Sequence, residues 1–204
     1  MAKVFLNNTL VEAEDAKISV ADAGFLYGAG LFETMRAQNG TIFCLKDHLD
    51  RLLFSTAKLG FNLPQDRATL SAALNDVLQA NQLQEARLRL TVSAGSVTAG
   101  QDEPVPTLLI TAAKLQAYPE EYYRDGVIVV LCPYRQNHTD PTTGHKSTSY
   151  FSRMLALQQA RTQKAAESIW FTSEGKLAEG CNSNVFLVKD GTLLTPPIET
   201  PVLP

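Results

Sequence analysis

Apolar residues recur along the chain with two different periods, and each change of period marks a new element. Val4-Phe5-Leu6 and Leu10-Val11 flank Asn7-Asn8 and read as a first β-hairpin. Leu31 to Ala37 and Thr41 to Leu45 meet at Asn39-Gly40, a pair that accepts the positive φ of a type I′ turn, and predict a second hairpin. The period then becomes helical. Leu49, Leu52, Leu53 and Ala57 share one face ahead of Gly60, and Leu70, Leu74, Val77 and Leu78 stripe a second helix after Pro64. Both stripes read as core. From Ala86 to Ala94 the period is two: Leu88, Leu90 and Val92 face one way, Arg87, Arg89, Thr91 and Ser93 the other. That polar face needs either solvent or a function.

Pro104 and Pro106 precede a further strand, Leu108 to Ala112, and the polar stretch from Lys114 to Gly126 reads as a connection between two units. An apolar strand follows at Val127 to Cys132, then a polar loop from Pro133 to His145. A helix is predicted from Tyr150 to about Ala165, with Met154, Leu155 and Leu157 apolar. Strand signals return at Ile169-Trp170-Phe171 and Val185 to Val188, and Asp190-Gly191 marks another hairpin turn. The expected organisation is a small α/β domain over 1–115, a linker at 116–125 and a second domain over 126–204.

Composition narrows the function classes. With 204 residues, 45% hydrophobic and 19% charged, the chain can bury one good core or two modest ones. A net charge of -3 gives no electrostatic footprint for nucleic acid or an anionic membrane, so neither partner is expected. The start at Met1 lacks an apolar leader and no apolar run is of spanning length, which reads as cytoplasmic. Cys44, Cys132 and Cys181 are odd in number and widely spaced, so three buried thiols are expected rather than a disulfide framework or a zinc site.

Lys146 follows a strand and a polar loop and precedes a helix, the setting of a phosphate-cradling loop. Here, though, Gly144-His145-Lys146-Ser147 separates glycine from lysine, and the earlier glycine is missing. Nucleotide hydrolysis is therefore disfavoured. A lysine that bonds a carbonyl through its amine needs only one partly desolvated side chain at a helix edge, although a lone lysine is more often a solvated surface group.

The string from Glu179 through Cys181, Asn184, Val185 and Phe186 to Leu193, Thr195 and Pro196 resembles the signature of class IV pyridoxal phosphate enzymes. That family includes branched-chain and D-amino-acid aminotransferases and aminodeoxychorismate lyase. Asp22-Ala23-Gly24-Phe25-Leu26-Tyr27-Gly28-Ala29-Gly30-Leu31-Phe32-Glu33-Thr34 is similar to the family as well. The resemblance implies an α+β, two-domain fold type IV architecture like that of D-amino-acid aminotransferase, with a partial, barrel-like second domain. A phosphate-holding turn follows the Thr-Pro step in the family, and the chain ends at Pro204 before it, so a C-terminally incomplete fold is expected.

The resemblance also assigns roles. Lys146 would bond the aldehyde of pyridoxal 5′-phosphate and then move the substrate proton, and Glu179 would face the pyridine nitrogen, against the alternative of a turn carboxylate beside Gly180. Arg51 would grip the phosphate; its alternative is an i,i+4 pair with Asp47. Tyr150 would reach the phenolic oxygen or be a half-buried helix tyrosine, and Asn184 would support the site or its turn. Tyr27 and Phe32 would wall the substrate pocket, and Arg89, with Arg36 as a second candidate, would bind the substrate carboxylate.

The implied function is amino transfer between a small or branched amino acid and a 2-oxo acid, in a homodimer. The alternatives are release of pyruvate by a lyase of the same family and a truncated, non-catalytic paralogue. Phe32-Glu33-Thr34-Met35-Arg36 leans toward lyase and D-amino-acid relatives, whereas Asp190 to Pro197 leans toward branched-chain enzymes.

Overall fold

The computed structural model describes residues 2–97, 104–200 and 202–203. Met1 and Pro204, the two ends named above, lie outside the described residues. The chain divides into two compact units, one comprising residues 1–116 with 146–149 and the other residues 117–145 with 150–204.

The first unit is a six-stranded antiparallel sheet with two long helices packed on it. Its strands are β1 (Lys3–Leu6), β2 (Thr9–Glu12), β3 (Gly30–Gln38), β4 (Thr41–Ile42), β5 (Ala86–Ser93) and β6 (Leu108–Lys114), in the order β2-β1-β6-β5-β3-β4. Both expected hairpins form, and their turns use the left-handed region: φ is 58° at Asn7, 50° at Asn39 and 72° at Gly40. β4 stops at Ile42, short of the expected Leu45, because Cys44 turns left-handed at φ 49° and α2 (Leu45–Lys58) starts there. α3 (Arg67–Ala80) opens on Asp66, whose carboxylate accepts the Thr69 N–H at 2.8 Å, an N-cap of the ordinary kind.

Leu49, Leu52, Leu70, Leu74 and Val77 meet Leu31, Met35, Leu88, Leu90 and Val92 in one core. The alternation of β5 is therefore what the sequence promised, with one exception. Ser93 is buried, because its hydroxyl donates to the buried carboxylate of Asp22 at 2.7 Å. The short helix α1 (Ala23–Tyr27) follows Asp22 and closes on Gly28, left-handed at φ 69°.

The second unit contains α4 (Glu120–Arg124), β7 (Val129–Gln136), α5 (Phe151–Thr162), β8 (Glu167–Thr172), β9 (Leu187–Lys189) and β10 (Thr192–Leu194). β7 and β8 pair in parallel, and α5, which packs on both, lies between them in sequence. β7 runs on into the stretch expected to be loop. Pro133 has no N–H to give a ladder, and the register shifts between Leu131 and Arg135 to pass it. The expected connection is likewise shorter, since β6 reaches Lys114 and α4 occupies part of the remainder.

α5 ends at Thr162 rather than near Ala165, with Lys164 left-handed at φ 58° just beyond. Its buried residues are Ala156 and Ala160; Met154, expected in the apolar stripe, is exposed. The hairpin turn at Asp190-Gly191 forms as expected, with φ of 50° and 74°. Cys132, Ala156, Trp170, Ala178, Cys181 and Val202 form this unit's core. Two of the three thiols are buried as expected, but Cys44 is exposed, because its place at the head of α2 turns its side chain from the core. Among the described residues, no helix is long and apolar enough to cross a membrane.

Candidate active site

In the first unit the sheet has one face covered by α2 and α3 and a second, polar face. Register puts Phe32 opposite Thr91, Thr34 opposite Arg89 and Arg36 opposite Arg87, so these side chains share the polar face. Residues Lys146–Ser149 lie against the start of β3. The Phe32 N–H donates to the Lys146 carbonyl at 2.9 Å, and the Thr148 N–H donates to the Gly30 carbonyl at 2.8 Å. Gly30 makes this approach feasible, since a Cβ there would stand 2.7 Å from the Thr148 hydroxyl and 3.0 Å from the Val92 carbonyl.

The result is a cluster of three of the nominated residues. The Lys146 Nζ lies 4.9 Å from the centroid of the Phe32 ring, and the Arg89 guanidinium carbon 3.8 Å from it. Arg89 also donates from Nε to the Thr91 hydroxyl at 3.2 Å. Lys146 is half-buried and Phe32 buried, so the amine is neither fully solvated nor sealed. A cavity of about 330 Å³ includes Thr91 and Thr148 in its wall, with Val20, Phe25 and Leu109.

Arg51 sits on α2 and has a different partner from the one weighed in the sequence. The carboxylate against it belongs to Glu33, not Asp47: Nε donates to one oxygen at 2.7 Å and Nη2 to the other at 2.6 Å. His48 approaches the same carboxylate with Nδ1 at 2.8 Å, and because a carboxylate only accepts, that proton is on Nδ1. Glu33 is 1% exposed. Burial pushes its carboxyl up, but the hydrogen bonds from Arg51 and then His48 outweigh that and hold it below the usual carboxylate range. The same pairing raises Arg51.

Arg36 is exposed and pairs with Glu85 at 3.7 Å; Tyr27 is exposed at the end of α1.

In the second unit Glu179 is buried and Arg153 of α5 is its cation, through Nη2 to Oε1. Its Oε2 accepts the Leu203 N–H at 3.2 Å. The Arg153 Nη1 donates to the Gly180 carbonyl at 2.8 Å, and the guanidinium lies over the Trp170 and Tyr150 rings at 5.3 and 5.8 Å. Tyr150 directs its hydroxyl to the Cys181 carbonyl, and burial pushes its phenol above the ordinary value. Glu167 braces the following turn by accepting from the Cys181 N–H at 2.9 Å and the Ser183 hydroxyl at 2.9 Å. Asn184 is exposed.

The family model described as Amino-transferase class IV matches residues 30–204. The chain belongs to this family. It is 34% identical over 205 residues to a putative branched-chain-amino-acid aminotransferase of Methanocaldococcus jannaschii, covering 98% of this chain and 70% of that protein. It is 31% identical over 205 residues to aminodeoxychorismate lyase of Bacillus subtilis, covering 98% and 69%. Its fold matches the solved branched-chain amino acid aminotransferase of Escherichia coli, with a TM-score of 0.92 and 29% identity over 100% of this chain and 70% of that one.

The expected α+β, fold type IV architecture is thus the observed one, in a class IV chain that spans about 70% of the length of these relatives. Within its first unit the structure brings Lys146, Phe32 and Arg89 together and sets Tyr27 and Arg36 on exposed surface. In the second it brings Glu179 and Tyr150 to one arginine. The sequence reading missed Glu33, His48 and Arg153. Glu33 left a signal, a carboxylate on the apolar register of β3 between Leu31 and Met35; Arg153 left none, because arginines on helices are common.

Proposed function

We propose that this chain is a pyridoxal 5′-phosphate-dependent aminotransferase acting on small or branched amino acids with a 2-oxo acid as acceptor. The observation that carries the reading is the class IV match over residues 30–204, with Lys146 partly covered beside Phe32 and Arg89. The residues fit the cofactor's chemistry. A partly covered amine suits an aldehyde, and the buried Glu179 carboxylate, with about four acceptor sites of which Arg153 and Leu203 engage two, keeps capacity for a ring N–H. Arg51 engages Glu33 through both Nε and Nη2, and its role toward a phosphate rests on the class IV match.

Bound there, the cofactor supplies an electron-withdrawing ring that acidifies the substrate Cα–H. The chain does the rest. Lys146 would hold the aldehyde carbon through Nζ and, once released by the substrate amine, take and return the Cα proton as base and acid. Arg89 would bind the substrate carboxylate by paired hydrogen bonds, with Arg36 as a further cation on that face. Phe32 and Tyr27 would flank the substrate, Glu179 would hold the ring nitrogen, Tyr150 the phenolic oxygen, Arg51 the phosphate and Asn184 the turn beside it. A cytoplasmic homodimer with domains over 1–115 and 126–204 completes the proposal.

A second reading is favoured by the 31% identity to the lyase, close to the 34% of the aminotransferase. Incubation with aminodeoxychorismate, read as pyruvate release, against keto-acid-dependent amino transfer separates the two. Amino transfer without pyruvate release supports the first; pyruvate release alone replaces it with the second; neither activity in a cofactor-binding chain leaves the non-catalytic paralogue.

A further inference from the structure

We infer that Arg153 is a positioning residue that couples the two polar ends of the cofactor ring, acting through Glu179 and Tyr150. The inference rests on the functional reading above. Burying a carboxylate requires a charge partner and hydrogen bonds, and Glu179, 3% exposed, finds its cation in Arg153. The arginine is itself fixed from three sides. Its Nη1 donates to the Gly180 carbonyl at 2.8 Å, the Trp170 ring lies 5.3 Å from its guanidinium carbon, and the Tyr150 ring 5.8 Å. A planar fork serves the Gly180 carbonyl and the Glu179 carboxylate with two separate nitrogens held in one plane, a fixed geometry that the single, freely turning ammonium nitrogen of a lysine does not reproduce.

Geometry adds a second link. Tyr150 immediately precedes α5 and Arg153 is in its first turn, so both are set by one rigid element, while Glu179 and Cys181 belong to one segment beside β8, where the Trp170 N–H donates to the Glu179 carbonyl at 2.8 Å. The Tyr150 hydroxyl donates to the Cys181 carbonyl, so helix and segment are joined at two points, Tyr150 to Cys181 and Arg153 to Glu179 with Gly180. Displacing Arg153 therefore disturbs the carboxylate and the phenol together. Neither residue loses its own side chain, yet both lose their aim.

The test uses the full chain and pyridoxal 5′-phosphate, with binding read by quenching of the sole tryptophan, Trp170, which lies beside Arg153. Arg153→Gln is expected to weaken cofactor binding about tenfold and Arg153→Lys about threefold. In a background carrying both Glu179→Gln and Tyr150→Phe, Arg153→Gln is expected to change binding less than twofold, because the arginine acts through those two side chains. A purely structural role would instead lower the melting temperature and weaken binding equally in both backgrounds, and that result overturns the inference. So does an Arg153→Gln chain that binds like the parent. If Arg153→Gln does not fold, Arg153→Lys decides: parent-like affinity overturns the inference and threefold weakening supports it. A parent chain that binds no cofactor overturns the functional reading and this inference with it, whereas a parent that binds without the coupling overturns the inference alone.

Discussion

Replacing Glu33 by glutamine should destabilise the first unit by a pH-dependent amount. The carboxylate is 1% exposed and takes two hydrogen bonds from Arg51, at 2.7 and 2.6 Å, and one from His48 at 2.8 Å. Removing one member of a buried ion pair costs about 3–5 kcal/mol. The Arg51 side chain keeps 23% of its exposure and glutamine keeps an acceptor, so a cost at or just below the bottom of that range, about 2–3 kcal/mol at pH 7, is expected. For a chain of this size that corresponds to a fall in melting temperature of roughly 4–12 °C. The sign with pH is fixed by the depressed carboxyl of Glu33. Its contribution is present in full above the unfolded value of about 4.3 and is lost as pH falls through the lower folded value. Melting curves of parent and Glu33→Gln chains between pH 3 and 8 should converge on acidification. Equal melting temperatures at pH 7, or a gap that widens as pH falls, would refute the reasoning.

Two further outcomes are expected. At pH 8, a thiol reagent should label the native chain quickly at one cysteine, exposed Cys44; Cys132 is buried, and burial pushes the Cys181 thiol up to about 11. Rapid labelling of Cys181 before unfolding would contradict this. Leu74→Ala, which empties a fully buried site between α3 and the sheet, should cost about 2–5 kcal/mol in urea denaturation, and a loss under about 1 kcal/mol would show that this core is not packed as described.

Much of the first unit was legible because its signals are local. Asn39-Gly40, like Asp190-Gly191 in the second unit, carries its turn geometry in its own φ preferences, and the alternation of β5 shows which side chains face the helices. The elements that escaped depend on distant partners. Ser93 is buried only because Asp22 lies across from it, 71 positions away, and β7 continues past Pro133 only because β8 accepts a shifted register. The site divides in the same way. Lys146, Phe32 and Arg89 were nominated from resemblance and alternation, and they cluster. Glu33 and Arg153 act through partners 18 and 26 positions away, and no spacing rule reaches that far.

The most direct measurement is to add pyridoxal 5′-phosphate to the purified chain, record the visible absorbance, reduce with borohydride and locate the attached cofactor by peptide mass spectrometry. A visible band that disappears on reduction, with the label on Lys146 and lost in Lys146→Ala, is the result expected. No band, or labelling of other lysines that persists in Lys146→Ala, would contradict the assignment of this amine.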